Sequence, residues 1–285
     1  MTSPPEELTV THVEGPDSIV LCWQADEPHA VVHILHGWAE HALRYDRPAQ
    51  ALVVAGYTVV ADDHRGHGQS GVRSDTLGDL GPRGMDGVLD AVHDVTRDAA
   101  AQVPGVPLFV LGHSWGSFLL QRYLRRWSDE IDGALLTGTT YRDPDAVSAD
   151  RPQPNERFEP ARTPYDWLSR DEAEVDLYVA DPLCGFEIMR DTPGSTTRSA
   201  PRPPGPTTTP GPRPDLPILV INGADDPVGG EVGGRSLAEH YRGLGVIDVT
   251  FLGYEGARHE LFNETNRDEV VADVIAWLGR HTTSG

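Results

Sequence analysis

The stretch that most constrains this chain is Leu108-Phe109-Val110-Leu111-Gly112-His113-Ser114-Trp115-Gly116. An apolar, β-prone run ends in Gly-x-Ser-x-Gly, and helical spacing starts at once at Phe118, Leu119, Leu120, Tyr123 and Leu124. A strand, a sharp turn and a helix in immediate succession are what lift a serine above a sheet as a nucleophile. The turn demands a strained backbone at Ser114. Gly112 and Gly116 flank it because side chains there would strike the neighbouring strand and helix. The hydroxyl then projects at the positive end of the following helix. The pattern alone also arises by chance in a chain with 30 glycines, so a plain Gly-rich turn is the competing reading. The rest of the chain must supply a base, an orienting acid and oxyanion donors.

Strands and helices alternate on both sides of this stretch. Residues 8–13 and 19–23 read as a hairpin around Gly15-Pro16-Asp17. Residues 30–35 form a short apolar run of the kind buried on both faces of a parallel sheet. Helical spacing over 46–55, a strand at 57–61, a Gly-rich loop to Gly87, a helix at 88–101 and a strand at 132–137 follow. The alternation stops there and resumes with strands at 218–222 and 246–252 and helices at 236–241 and 267–278. The reading is an α/β chain with a mostly parallel eight-stranded sheet, helices on both faces, and a cap insertion after the sixth strand. Residues 1–138 and 218–285 form the core, and 139–217 the cap. Within the cap, 167–179 reads as a helix with Ser169 as N-cap and Glu172 in capping-box position. Residues 192–217 are rich in Pro, Thr, Gly and Arg, too poor in large apolar groups to offset their ordering entropy, and are expected to be flexible.

Composition narrows the class. The 285 residues suit one domain with an insertion, and the net charge of -21 disfavours nucleic acid and anionic membrane as primary partners. Contact with a membrane or micelle is expected to be transient at most. The two cysteines, Cys22 and Cys184, suggest neither a disulfide framework nor a metal site. The first residues lack a basic region followed by an apolar one, and no apolar run approaches the ~20 residues that span a bilayer. A soluble cytoplasmic protein is the expectation.

Three residues that follow strands complete a nucleophilic site: Ser114, Asp226 and His259. Loops at the C-terminal ends of parallel strands converge even when far apart in sequence. His259 Nε2 would take the serine proton and pass it to the leaving group. Asp226 would hold the imidazole in the productive tautomer. Its neighbour Asp225 is the rival acid, and Asp226 is preferred because it directly precedes Pro227. The oxyanion needs preorganised donors. The backbone N–H groups of Trp115 and of Trp38, in the loop after the third strand, are the candidates. His36, His41, His64, His67 and His113 are expected to organise loops, since no spacing among them matches a metal ligand set. The chemistry needs no cofactor and no metal.

The motifs taken together resemble a known family. They are His36-Gly37-x-x-Glu40-His41 with Arg44-Tyr45, Asp63-His64-Arg65-Gly66-His67-Gly68-x-Ser70, Gly112-His113-Ser114-x-Gly116, Gly223-x-x-Asp226-Pro227-Val228 and Gly256-x-x-His259-Glu260. In this order they are similar to the monoacylglycerol lipase and lysophospholipase-like branch of the α/β-hydrolases, whose chain order is Ser, Asp, His. Residues 155–170 and 180–186 are similar to the cap of its bacterial members. The resemblance implies an α/β-hydrolase fold, a serine hydrolase for carboxylic esters of lipid type, and Glu40 and Arg44 near the alcohol side of the substrate. Two departures stand out. Trp115 replaces the usual Met or Gln, and its ring is expected to narrow the pocket. Residues 187–214 replace apolar cap helices. A peptidase or amidase of the same fold, and a non-catalytic ligand-binding member, are the competing functions. Ser114 argues against chemistries that need a carboxylate at the elbow.

Overall fold

The computed structural model describes residues 3–141, 154–188 and 211–282. Eight strands form one sheet: β1 (Glu6–Val10), β2 (Ser18–Trp23), β3 (Ala30–Leu35), β4 (Tyr57–Asp62), β5 (Leu108–His113), β6 (Gly133–Thr137), β7 (Ile218–Gly223) and β8 (Val249–Tyr254). Their order is β1-β2-β4-β3-β5-β6-β7-β8. β2 pairs antiparallel with β1 and β4, and every other pairing is parallel. The central strands are largely apolar because both faces are covered, and the buried His33 of β3 is satisfied by Thr96 and Asp62. In β5, Leu108 and Val110 join one core and Phe109 and Leu111 the other, the period of two that a strand imposes. The first face is covered by α3 (Gly84–Gln102), α4 (Trp115–Trp127) and α6 (Gly230–Gly243) through Leu89, Val92, Leu120 and Leu237. The second is covered by α1 (Asp46–Val54) and α7 (Arg267–His281) through Leu52, Val274 and Trp277.

Several elements depart from the sequence reading, each for a tertiary reason. β1 ends at Val10 instead of running to residue 13. Beyond it His12 turns inward, its imidazole bridging Ser18 Oγ (2.8 Å) and Asp94 Oδ2 (2.9 Å). Inside the expected Gly-rich loop lies a short helix, α2 (Gly68–Arg73), whose Gln69 N–H is taken by Asp63 Oδ2 at 2.6 Å. α6 starts well before residue 236, across Gly233 and Gly234. A Cβ on Gly234 would meet the Phe251 ring at 2.6 Å, so the glycine is there for close packing of helix on strand. β8 begins at Val249, not Val246, because Val246 N–H closes α6 on Tyr241 O and Ile247 N–H bonds Pro214 O.

The insertion contributes α5 (Glu172–Ala180). Its N-cap is Asp171, whose carboxylate accepts from Ala173 N–H. The expected cap, Ser169, instead donates its hydroxyl to Asn263 O at 2.8 Å. Most of the tract expected to be flexible, up to residue 210, lies outside the described residues. Its last seven residues, 211–217, are docked: Leu216 is fully buried, and Arg213 bonds Ser128 and Ile131. Among the described residues, no helix is long and apolar enough to cross a membrane.

Candidate active site

The turn between β5 and α4 places Ser114 at φ 51° and ψ -116°. Few non-glycine residues adopt such a backbone, and it costs on the order of 1–3 kcal/mol. The surroundings hold it there. Ser114 N–H donates to Thr137 O of β6 at 2.9 Å, and its carbonyl accepts from the Ser117 backbone and hydroxyl. A Cβ on Gly112 would lie 2.5 Å from Gly116 O, and one on Gly116 would overlap the Leu35 and His36 carbonyls. Both glycines are therefore required for the helix to pass this close to the sheet.

Ser114 and His259 line one cavity of about 200 Å³ above the C-terminal ends of the strands. His259 Nδ1–H donates to Asp226 Oδ1 at 2.9 Å, and the Val228 N–H donates to the same oxygen at 2.8 Å. Both His259 and Asp226 are buried at 1% exposure. This bond fixes the tautomer and turns Nε2 into the basic nitrogen. Burial by itself lowers the His259 pKa. Attraction and hydrogen bonding from Asp226, with Glu260 and Glu40 behind, outweigh it and hold the value above 6.5. Asp225 is half exposed and faces Arg157 at 3.6 Å, so the orienting contact is made by Asp226.

The β3 loop supplies the opposite wall through Gly37, Trp38, Ala39 and Glu40. Gly37 N–H is occupied by the Glu40 carboxylate, so it is not free to receive an oxyanion. Trp115 does not narrow the cavity. Its ring is buried, stacked on His67 at 4.9 Å and edge-on to Trp38 at 5.0 Å. As the first residue of α4, it points its side chain into the core while its backbone stays at the helix end.

Glu40 and Arg44 belong to a buried ionic cluster beside the cavity. Arg44 donates to Glu260 through both terminal nitrogens (2.7 and 2.6 Å) and also to Glu40. Tyr45 OH donates to Glu40 at 2.9 Å, and the Tyr178 ring lies under the guanidinium at 4.7 Å. Burial would raise the Glu260 pKa, but Arg44 overrides this and keeps the carboxyl well below its ordinary range. Glu40 and Glu260 reach the cavity wall; Arg44 does not.

Sequence reasoning missed the aromatic wall from the insertion: Tyr165, Trp167, Tyr178 and Phe186. It also missed Glu260, although that residue directly follows His259 in the last motif. Among the described residues, His41, Asp181 and Cys184 are the one group whose ligand-type atoms cluster, within 4.8 Å of one another. His41 and Asp181 already bond each other at 2.9 Å, and the Arg44 charge acts on Cys184. A cation there would break the first contact and meet the second.

Other histidines hold the loops. His36 Nδ1 donates to Gly37 O, His36 Nε2 accepts from His64 N–H, and His67 Nδ1 donates to Arg65 O. Burial drives His36 well below 6.5, His67 to about 3 and His113 to about 4. These three stay neutral in the fold but take protons in the unfolded chain below about pH 6.5. Their contribution is complete above that pH and is lost as pH falls. Each adds up to ~1.4 kcal/mol per pH unit, or about 4 kcal/mol for three. His259, whose pKa is raised, acts in the opposite sense: its contribution is present below about pH 6.5 and is lost as pH rises through its folded value. Urea midpoints measured from pH 7.5 to 5 should therefore fall steeply below pH 6.5. A flat profile would mean that these imidazoles gain water or partners.

The family described as "Serine aminopeptidase, S33" matches residues 26–266. The chain is 30% identical to a monoacylglycerol lipase of Mycolicibacterium smegmatis, covering 99% of both chains. It is 30% identical to the monoglyceride lipase of Mus musculus, over 88% of this chain and 82% of that one. A thermostable carboxyl esterase from Bacillus coagulans, solved with glycerol, superposes with a TM-score of 0.81 at 25% identity, over 99% of this chain and 100% of that one. The chain belongs to the serine aminopeptidase family of α/β-hydrolases, within its monoacylglycerol lipase-like members.

Proposed function

We propose that this carboxylic ester hydrolase cleaves lipid esters of the monoacylglycerol or lysophospholipid type, with Ser114 as nucleophile, His259 as base and Asp226 as orienting acid. The observation that carries the reading is the buried Asp226–His259 bond on the same cavity as the strained Ser114. Ser114 Oγ attacks the ester carbonyl as His259 Nε2 takes its proton. The oxyanion is received by the Trp38 and Trp115 N–H groups. Collapse expels the alcohol, protonated by His259, and leaves an acyl-serine. Water, deprotonated by the same nitrogen, releases the acid and restores the serine.

The second reading, a peptidase acting on a free amino terminus, rests on the family's description. Such a substrate needs an uncommitted carboxylate in the pocket. The two cavity carboxylates, Glu40 and Glu260, are both paired with Arg44. The ester reading is preferred for that reason.

Within the insertion, residues 154–188 act as the cap, supported by the aromatic wall that they lend to the cavity; residues 211–217 lie apart from it, on Ser128 and Ile131. Leu177 and Val179, exposed on α5, fit brief contact with a lipid aggregate. A cytoplasmic location is supported by two unpaired cysteines.

The test is a series of p-nitrophenyl esters of rising acyl length beside a monoacylglycerol and aminoacyl amides. The cavity of about 200 Å³ is below the roughly 300–1,000 Å³ of most ligand pockets. Short and medium acyl chains should be turned over fastest, and amides not at all. Amide turnover without ester turnover would reverse the assignment. The acid limb of kcat/KM should lie above pH 6.5, because His259 must be neutral to accept the proton.

A further inference from the structure

Trp167, on the insertion, lies against the imidazole of His259, with ring centroids 4.8 Å apart and planes at 39°. The His113 ring lies 4.7 Å away from the same imidazole. Trp167 does not reach this place by itself. The chain on both sides of it is sewn to the loop that carries His259. Glu260 N–H donates to Leu168 O at 2.8 Å, Ser169 Oγ donates to Asn263 O at 2.8 Å, and the Arg258 guanidinium donates to the carbonyls of Asp166 and Ser169.

At the centre of these contacts is Glu264, fully buried at 0% exposure. One carboxylate oxygen accepts the backbone N–H groups of Arg170 (3.0 Å) and Arg258 (2.8 Å). The other accepts Arg170 Nε at 2.8 Å and Thr265 N–H at 2.9 Å. A buried carboxylate costs free energy unless every lone pair is used. Here each is used, and the donors come from two segments far apart in sequence. No step of ester cleavage uses this group.

We propose that Glu264 and Trp167 are positioning residues for the histidine. Glu264 fastens residues 166–170 of the insertion to residues 258–266, and Trp167, held by that joint, limits the tilt of the His259 ring against Asp226. Residues 166–170 are thus a fixed part of the catalytic frame. The inference rests on the hydrolase reading for its kinetic consequences but not for its geometry.

The experiment compares wild type with W167A, W167F, E264Q and the double variant W167A/E264Q. Each is checked for folding by circular dichroism and then followed by steady-state ester hydrolysis. The proton of the Asp226–His259 bond is followed by NMR. A misplaced catalytic group costs roughly ten- to a hundredfold in rate. W167A and E264Q should each lose kcat by that factor with KM changed less than twofold. W167F should recover most of it, because a second flat ring can occupy the same wall. The double variant should lose no more than the worse single one, since both act through one joint. The NMR proton should broaden or vanish in W167A and E264Q. Folded variants that keep kcat and the NMR proton would overturn the proposal. So would a W167A effect confined to KM, which would make Trp167 only a wall of the substrate cavity. If wild type hydrolyses no ester, the hydrolase reading fails by itself. The proton still decides the joint, its loss in the variants supporting the proposal and its persistence refuting it.

Discussion

Replacing Ser114 by glycine should abolish hydrolysis and make the protein more stable. The two effects have separate causes. Without the hydroxyl there is no acyl-serine, and loss of a triad nucleophile lowers kcat by about 10⁴- to 10⁶-fold. What remains comes from the oxyanion donors and substrate binding. Stability moves the other way because Ser114 is held at φ 51° and ψ -116°. Glycine reaches that region without steric penalty, so removing the side chain should release about 1–2 kcal/mol. S114A is the control: equally inactive, it keeps the Cβ and therefore the strain. Urea midpoints of the three proteins, measured with ester turnover, check both halves. A glycine variant less stable than wild type would mean that the Ser114 side chain contributes more to packing than its backbone costs.

The second large effect is expected from Arg44→Met. Its guanidinium sits between two carboxylates, Glu40 at 3% and Glu260 at 6% exposure. Removing the cation leaves both anions buried and facing each other without compensation. Breaking a buried ion pair from one side costs about 3–5 kcal/mol, a large part of the ~5–15 kcal/mol that holds a typical domain. The loss should reach function as well, since Glu40 accepts the Gly37 N–H and Glu260 follows His259. The two carboxylates therefore tie the proposed oxyanion loop to the histidine loop through one cation. Adding Glu40→Gln and Glu260→Gln to Arg44→Met should restore part of the stability, because neutral amides tolerate burial far better than unpaired anions. Denaturant unfolding of the single and triple variants measures this. A single variant within 1 kcal/mol of wild type would show that water or a shifted side chain relieves the carboxylates.

What the sequence conveyed and what it withheld follow from the range of the forces involved. The elbow was legible because its steric demands are local: glycines at 112 and 116, a β run before and helical spacing after. The central strands were legible because strands buried on both faces are largely apolar. Element ends were less so. Asp171 caps α5 because Ser169 is drawn off to Asn263, a partner 94 residues away. α2 forms with its Gln69 N–H donating to Asp63, inside a stretch whose glycines read as a loop. The direction of the Trp115 ring was misread because the histidine it stacks on, His67, comes from another loop. Glu40 and Arg44 were placed beside the substrate, and the geometry ties them first to Glu260 and Tyr45. Glu264 gave no signal at all. A carboxylate near the end of an acidic chain looks like solvated surface until the fold brings Arg170 and Arg258 to it.

The most direct test of the central claim is reaction of the folded protein with a fluorophosphonate, followed by mass mapping of the adduct. Such reagents modify a serine whose proton is taken by a neighbouring base. One adduct per chain is expected, on Ser114, formed in wild type and absent from His259→Ala and Ser114→Ala. A folded wild-type protein that stays unmodified, or carries the adduct on another residue, would contradict it.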